Sequence, residues 1–226
     1  TAFYAYSTTL LAQAAAVIGR EREAAEYTQL AKDVRRTFQR EFVAASGRLA
    51  SNTQTAYVLA LAFDLLPEEQ RADAARRLVA DIRRRGTQLT TGFVGASYLC
   101  PVLARFGYLD VAYDLLLRQE YPSWLYPVTQ GATTIWERWD GIRSDGTFQD
   151  PEMNSFNHYA YGAIGDWLYR VVAGLDTDPS APGYRRAIVR PRPGGGLSWA
   201  YAAHETMIGE YTAGWSQREG RMRVAV

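Results

Sequence analysis

Apolar residues recur three and four positions apart through most of the first 118 residues, with polar breaks between them. That pattern predicts a succession of helices rather than strands. An Ala- and Leu-rich segment runs from Phe3 to Ile18 and breaks at Gly19. Glu21 to Phe42 sets Tyr27, Leu30, Ala31, Val34, Phe38 and Phe42 on one stripe. Arg22, Glu26, Lys32, Arg36 and Arg40 fall on the opposite, solvated face. A third helix is predicted over Ser51–Leu66, with Asn52 or Thr53 as N-cap and Pro67 as its stop. Glu68–Arg84 is acidic at its start and basic at its end, as the helix dipole favours. Arg83-Arg84-Arg85 therefore reads as a C-terminal turn before Gly86, not as a phosphate-binding patch. Gly92–Arg105 is a fifth helix, and Pro101 within it should kink or restart it, because proline removes a backbone donor. Tyr108–Arg118 is a sixth.

Between Gln119 and Met153 the periodicity stops, and Trp, Gly, Thr, Pro and Asp crowd together. Long irregular stretches are uncommon in compact domains and tend to carry function. Regularity resumes at Asn154–Gly174, predicted as a helix with apolar pairs at Tyr159/Ala160, Ala163/Ile164, Trp167/Leu168 and Val171/Val172. Asn154, His158, Tyr161 and Gly165 would then share a narrow polar and aromatic face. Beyond it, Asp176–Gly183 reads as a linker, Arg186–Arg190 as a strand and Pro193–Gly196 as a turn. Short strands follow around Trp199, Tyr211 and Val224. Helices followed by strands suggest two domains, a helical one over 1–174 and a linker with the start of a β domain over 175–226.

Composition narrows the functional classes. The 226 residues are 47% hydrophobic and 22% charged with a formal charge of +1, a globular balance without the basic surplus that nucleic-acid or anionic-membrane binding requires. No apolar run reaches the roughly 20 residues needed to span a bilayer. One cysteine excludes an intrachain disulfide, and with two histidines no structural zinc site is expected. Cys100 reads as a buried, inert thiol, having no His or cationic cluster close in sequence. No stretch reads as a secretory leader, which favours a cytoplasmic compartment over secretion, although Thr1 rather than Met opens the sequence. Six Trp and 15 Tyr are concentrated towards the second half, and such residues suit a site that stacks on sugar rings.

The densest chemistry lies in Thr133-Thr134-Ile135-Trp136-Glu137-Arg138-Trp139-Asp140. A carboxylate between two tryptophans loses hydration and gains proton affinity, as a general acid or base requires. An exposed Glu137 paired with Arg138 is the bland alternative. His158 is a candidate sugar ligand or orienting partner for Glu137, and otherwise a satisfied histidine between helices. Neither a G-x-S-x-G nucleophile elbow nor a Gly-rich phosphate loop before a helix is present. The spacing of Asp140, Asp145 and Asp150 fails the EF-hand pattern, and no metal or cofactor is expected.

Gly131-Ala-Thr-Thr-Ile-Trp-Glu-Arg-Trp-Asp-Gly141, Met153-Asn-Ser-Phe-Asn-His-Tyr-Ala-Tyr-Gly162 and Gly165-Asp-Trp-Leu-Tyr-Arg170 occur in that order. With Thr90–Gly95, Tyr121–Tyr126 and Arg190–Gly196, they resemble bacterial α-L-rhamnosidases of glycoside hydrolase family 78 over essentially the whole chain. The resemblance implies half of an (α/α)6 barrel, or six-hairpin toroid, followed by the first strands of a C-terminal β-sandwich. It implies an inverting hydrolase of terminal α-L-rhamnosides with Glu137 as general base and His158 as a sugar contact. Trp136, Trp139 and Trp124 would shape the pocket, and Asn154 is a further substrate-binding candidate. The family's acidic motif that supplies the general acid has no counterpart here, leaving Asp140, Asp150 and Glu152 as nearby candidates. Two rival readings stay open: a catalytically incompetent sugar-binding half-domain needing a partner chain, and a hydrolase of other glycosides. An incomplete ring of helices would also leave apolar faces uncovered, so a homodimer is expected.

Overall fold

The structure, a computed structural model, describes residues 1–226. The chain forms two compact units, Thr1–Phe106 and Gly107–Val226.

The first unit is built from helix hairpins. Helix α1 (Ala2–Val17) and α2 (Glu21–Phe42) pack against each other after a tight reversal at Gly19, whose φ of +74° suits glycine. Ala5, Thr8, Ala12 and Ala15 are the buried face of α1, and Ala31 and Val34 that of α2, so the two backbones meet over small side chains. Of the stripe predicted on α2, Phe42 remains 42% exposed. Helix α3 (Gln54–Ala62) is shorter than its apolar pattern suggested. Thr53, rather than Asn52, is its cap, the hydroxyl accepting from the Ala56 N–H at 3.2 Å. The helix ends where Asp64 takes a positive φ, and Leu65 and Leu66 turn fully into the core.

Helix α4 (Glu68–Arg84) ends in the expected basic turn, where Arg84 and Arg85 both bond Asp81. Gln54, 1% exposed, ties three segments together. Its amide donates to Asp81 and to the Gln88 carbonyl at 3.1 Å each, and its carbonyl accepts from the Thr90 N–H at 2.8 Å. Helix α5 (Phe93–Arg105) lies against α3, with Gly95 at the closest approach: a Cβ there would stand 3.1–3.2 Å from Thr91 and Thr55. It continues through Pro101 as one helix, without the restart that is one of the two expectations for it. Leu99, Cys100, Val102 and Leu103 are all buried there, and that burial outweighs the one lost hydrogen bond. Burial pushes the Cys100 thiol up to about 12, so it stays protonated and unreactive.

The second unit starts with α6 (Leu109–Leu117) and a five-residue helix, α7 (Leu125–Thr129), within the stretch predicted to be irregular. The helix predicted over Asn154–Gly174 forms only in its second half. A 3₁₀ turn (Ala160–Ala163) leads into α8 (Ile164–Trp167) and a wide turn (Leu168–Ala173), closed by Gly174 at φ +86°. Residues 154–159 form no helix, because their backbone groups pair with the Thr134–Glu137 segment. The predicted helical face of Asn154, His158, Tyr161 and Gly165 therefore does not exist.

After Gly174 the chain is β. Strand β1 (Leu175–Thr177) falls partly in the predicted linker and pairs antiparallel with β2 (Ala187–Val189). Strands β3 (Trp199–Thr206), β4 (Gly209–Arg218) and β5 (Arg221–Ala225) form an antiparallel sheet in that order. Its inner face packs Ala202 and Ala213 on Ala173 and Leu175, and the Trp215 indole donates to the Val172 carbonyl at 2.7 Å. The last helical carbonyls are satisfied from outside the helix: Arg190 N–H donates to Gly174 O and Arg192 N–H to Val171 O. No helix is long and apolar enough to cross a membrane.

Candidate active site

Two irregular segments of the second unit meet as a short ladder. Glu137 N–H donates to the Ser155 carbonyl at 2.9 Å, and His158 N–H donates to the Ile135 carbonyl at 2.8 Å. The Thr134 hydroxyl donates to the Phe156 carbonyl. On the same ladder the Ser155 N–H donates to Glu137 Oε2 at 2.8 Å. Glu137 is thus gripped through both its backbone and its carboxylate, half-buried, with Oε1 unengaged. This is a different state from the exposed Glu137–Arg138 pair: Arg138 faces Asp140 at 3.5 Å instead.

The tryptophans flanking Glu137 are buried, Trp136 4% and Trp139 8% exposed. Trp136 meets Phe156 edge-on, while Trp139 stacks on Tyr161 at 3.6 Å. Trp124 stands edge-on to Trp139 and donates its indole N–H to the Tyr161 carbonyl at 3.1 Å. The three tryptophans and Tyr161 share one recess, whose free volume of about 40 Å³ has room for a water or two, not a sugar ring. They form a rigid backing behind the carboxylate.

His158 is half-buried, stacked on Tyr159. Its Nδ1 accepts the Ala160 N–H at 3.3 Å, so the neutral ring carries its proton on Nε2. The Asn154 side-chain N–H2 donates to the Gly141 carbonyl at 3.0 Å and the Gln149 carbonyl at 3.4 Å, bracing the 141–149 loop, while its buried Oδ1 has no hydrogen-bond partner. That loop is closed by the Ile142–Phe148 bridge and by Arg143, which reaches the Phe148 carbonyl and Gln149.

Of the three acid candidates nearby, two are engaged. Asp140 faces Arg138 and accepts from the Gln149 amide at 2.5 Å. Asp150 caps the Glu152 N–H at 3.0 Å, and Glu152 is exposed. Tyr121 and Tyr161 are members of the cluster that sequence reasoning did not single out as site residues. Burial first, and then the fields of Tyr121, Asp140 and Glu137 against an opposing Arg138, push the Tyr161 phenol up to about 12. Burial and Asp140 likewise raise Tyr121. Both phenols therefore stay protonated, as hydrogen-bond donors beside two carboxylates. In the sequence Tyr121 and Tyr161 stood only within the quoted motifs, and Tyr161 also on the face predicted with His158. No three His, Cys, Asp or Glu side chains converge as metal ligands would.

A family model described as the bacterial alpha-L-rhamnosidase 6 hairpin glycosidase domain matches residues 1–172, and the C-terminal domain of the same family matches residues 174–226. A Streptomyces avermitilis alpha-L-rhamnosidase is 47% identical over 220 residues, 97% of this chain and 21% of the relative. One from Formosa agariphila is 42% identical over 95% of the chain and 23% of its own length. The crystal structure of the Streptomyces avermitilis enzyme complexed with L-rhamnose superposes with a TM-score of 0.93 at 46% identity, covering 98% of this chain and 21% of that one. The native Aspergillus terreus enzyme gives 0.91 at 38% identity over 95% of this chain and 25% of its own. The chain thus spans about a fifth to a quarter of the length of these relatives. Its mainly helical fold is part of a six-hairpin glycosidase domain followed by short β strands.

Proposed function

The chain belongs to the bacterial α-L-rhamnosidase family, and from that membership we propose that it carries the water-activating side of a site that hydrolyses terminal α-L-rhamnosides with inversion. The observation that carries the reading is the grip on Glu137: Ser155 N–H holds Oε2 at 2.8 Å and leaves Oε1 to accept a proton. In the proposed step a water bound at Oε1 attacks C1 of the sugar from the face opposite the leaving oxygen. The water oxygen bonds to C1 as the glycosidic bond breaks, and its proton passes to Glu137. His158 Nε2–H donates to a sugar hydroxyl, and Trp124, Trp136 and Trp139 hold the wall behind the carboxylate. Asn154 braces the loop below rather than contacting sugar. We place the domain boundary at Gly174, supported by its left-handed φ at the end of the helical run.

Inversion needs a second carboxyl about 6.5–9.5 Å away to protonate the leaving oxygen. Asp140 and Asp150 are each held by internal partners and Glu152 is exposed on the surface, which favours a second reading in which the acid comes from outside this chain. A second copy is one source. Tyr4 and Leu11 on α1 and Ile18 at its C-terminal cap, seven residues apart, are all exposed and form an apolar stripe suited to self-association, which light scattering tests directly.

α-L-Rhamnosyl fluoride tests the base under either reading, because fluoride departs without protonation and hydrolysis then needs only the base. Release of fluoride with β-L-rhamnose as the first product seen by proton NMR is expected. First-formed α-L-rhamnose would overturn inversion. Rhamnose binding with no fluoride release would leave a sugar-binding half-site.

A further inference from the structure

The segment Arg190–Gly196 ends in three consecutive glycines and takes no part in the proposed chemistry, yet it is held on both sides. The Arg190 and Arg192 N–H groups donate to the Gly174 and Val171 carbonyls at 2.8 and 3.0 Å, which fastens one side to the end of the helical run. The other side lies on α6. There the Tyr113 hydroxyl donates to the Arg192 carbonyl at 2.6 Å, a Cβ at Gly194 would overlap the Tyr113 ring, and one at Gly195 would stand 2.6 Å from Leu117. Gly194 has no positive φ, so its position requires bare backbone and not an unusual conformation. Gly196 is the reverse: its φ is +73° and nothing lies within 4 Å of where its Cβ would be.

Tyr113 passes this fit inward. Its ring is 1% exposed and meets Trp167 edge-on, with centroids 5.2 Å apart. Trp167 is also 1% exposed, and its buried indole nitrogen has no hydrogen-bond partner, so packing alone fixes where the ring sits. Trp167 closes α8, six residues after Tyr161 along one continuous run of helical turns. Tyr161 stacks on Trp139 at 3.6 Å, its carbonyl holds the Trp124 indole, and Trp139 stands two residues beyond Glu137. A side chain added at Gly194 would press on Tyr113, then on Trp167, and through α8 on the aromatic stack beside the carboxylate.

We propose that the Arg190–Gly196 strap is a positioning element for the Glu137 site, with Tyr113 and Trp167 as positioning residues that keep the Tyr161–Trp139 stack in place. Close-packed interiors have few voids to absorb a shift, so strain at the strap is transmitted to the stack. The effect on rate rests on the reading of Glu137 as the base; the effect on the stack does not.

Near-ultraviolet circular dichroism reads the stack directly, as the tryptophan band of the parent that Tyr161→Leu removes. Gly194→Ala should lose most of this band at a temperature where its far-ultraviolet spectrum is that of the parent. Gly196→Ala strains the same loop without touching Tyr113 and should keep the band, as should Glu137→Gln. Fluoride release from α-L-rhamnosyl fluoride should fall about 10²-fold in Gly194→Ala, the cost of a misplacement of ~1 Å, and far less in Gly196→Ala. A Gly194→Ala chain that keeps the band, or a Gly196→Ala chain that loses it equally, overturns the proposal. If Glu137→Gln hydrolyses as the parent does while Gly194→Ala loses the band, the base is refuted and the strap stands. Should Gly194→Ala fail to fold, hydrogen exchange of the parent decides: the Arg190 and Arg192 amides should open together with those of Glu137, Ser155 and His158. Strap amides that exchange while those of the site stay protected overturn it.

Discussion

Gly141 sits at the point where the candidate site is packed most tightly, and Gly141→Ala measures that packing. Its backbone is not in the left-handed region, so alanine brings no conformational strain. The added Cβ, however, would stand 2.8 Å from Asn154 Oδ1, 3.1 Å from the Phe156 ring and 3.2 Å from the Trp136 ring. Asn154 cannot swing away cheaply, because its amide holds the Gly141 and Gln149 carbonyls. Trp136 is buried and Phe156 is wedged between it and Phe148. Overpacking of this kind costs about 1–3 kcal/mol. For a chain of this size each kcal/mol is worth roughly 2–4 °C in Tm, so a loss of several degrees is expected. Gly165→Ala is the matched control: that glycine lies in α8 with no atom within 4 Å of its Cβ position. There alanine should be neutral or stabilise by up to ~1 kcal/mol. Thermal melts followed by tryptophan fluorescence give both numbers. If Gly141→Ala melts with the parent, or Gly165→Ala falls equally far, the packing argument is wrong.

Other consequences follow from single contacts. Tyr113 donates to the Arg192 carbonyl at 2.6 Å, and its ring lies against Gly194 and Gly195, so Tyr113→Phe should cost about 1 kcal/mol in urea unfolding. Burial raises the Tyr113 phenol to about 12, above its unfolded value near 10. Its contribution is therefore whole below about pH 10 and lost as pH rises towards 12, and Tyr113→Phe should remove that part of the alkaline transition. Burial alone would raise the Asp81 carboxyl, but hydrogen bonds from Gln54, Arg85 and Arg84 outweigh it and the net shift is downward. Its stabilisation is thus present above about pH 4 and lost as pH falls further. Asp81→Asn should lower the urea midpoint at neutral pH, with the gap to the parent closing in acid.

Five helices of the first unit were legible because their faces are amphipathic or their ends are marked by Thr53, Pro67, Gly86 and Gly19. Pro101 misled because local propensity argues for a break, while buried neighbours on both sides hold the helix together. The larger misreading was 154–159. Its residues keep helical spacing in sequence, but the backbones of Ser155 and His158 pair with those of Glu137 and Ile135, and the Phe156 carbonyl accepts from the Thr134 hydroxyl, which no periodicity can reveal. Tertiary pairing overrode local pattern there. Glu137 and the aromatic density around it were legible from residue type alone. The roles of Ser155 and Tyr161 were not, since one acts through its backbone and the other through a stack on Trp139.

The central claim is that Glu137 activates water. The rate of α-L-rhamnosyl fluoride hydrolysis by the chain and by its Glu137→Gln variant tests it most directly. The amide can still accept the Ser155 N–H, so the fold should melt unchanged, while loss of the base should slow fluoride release by about 10²–10⁴-fold. A variant that releases fluoride as fast as the parent would contradict the account.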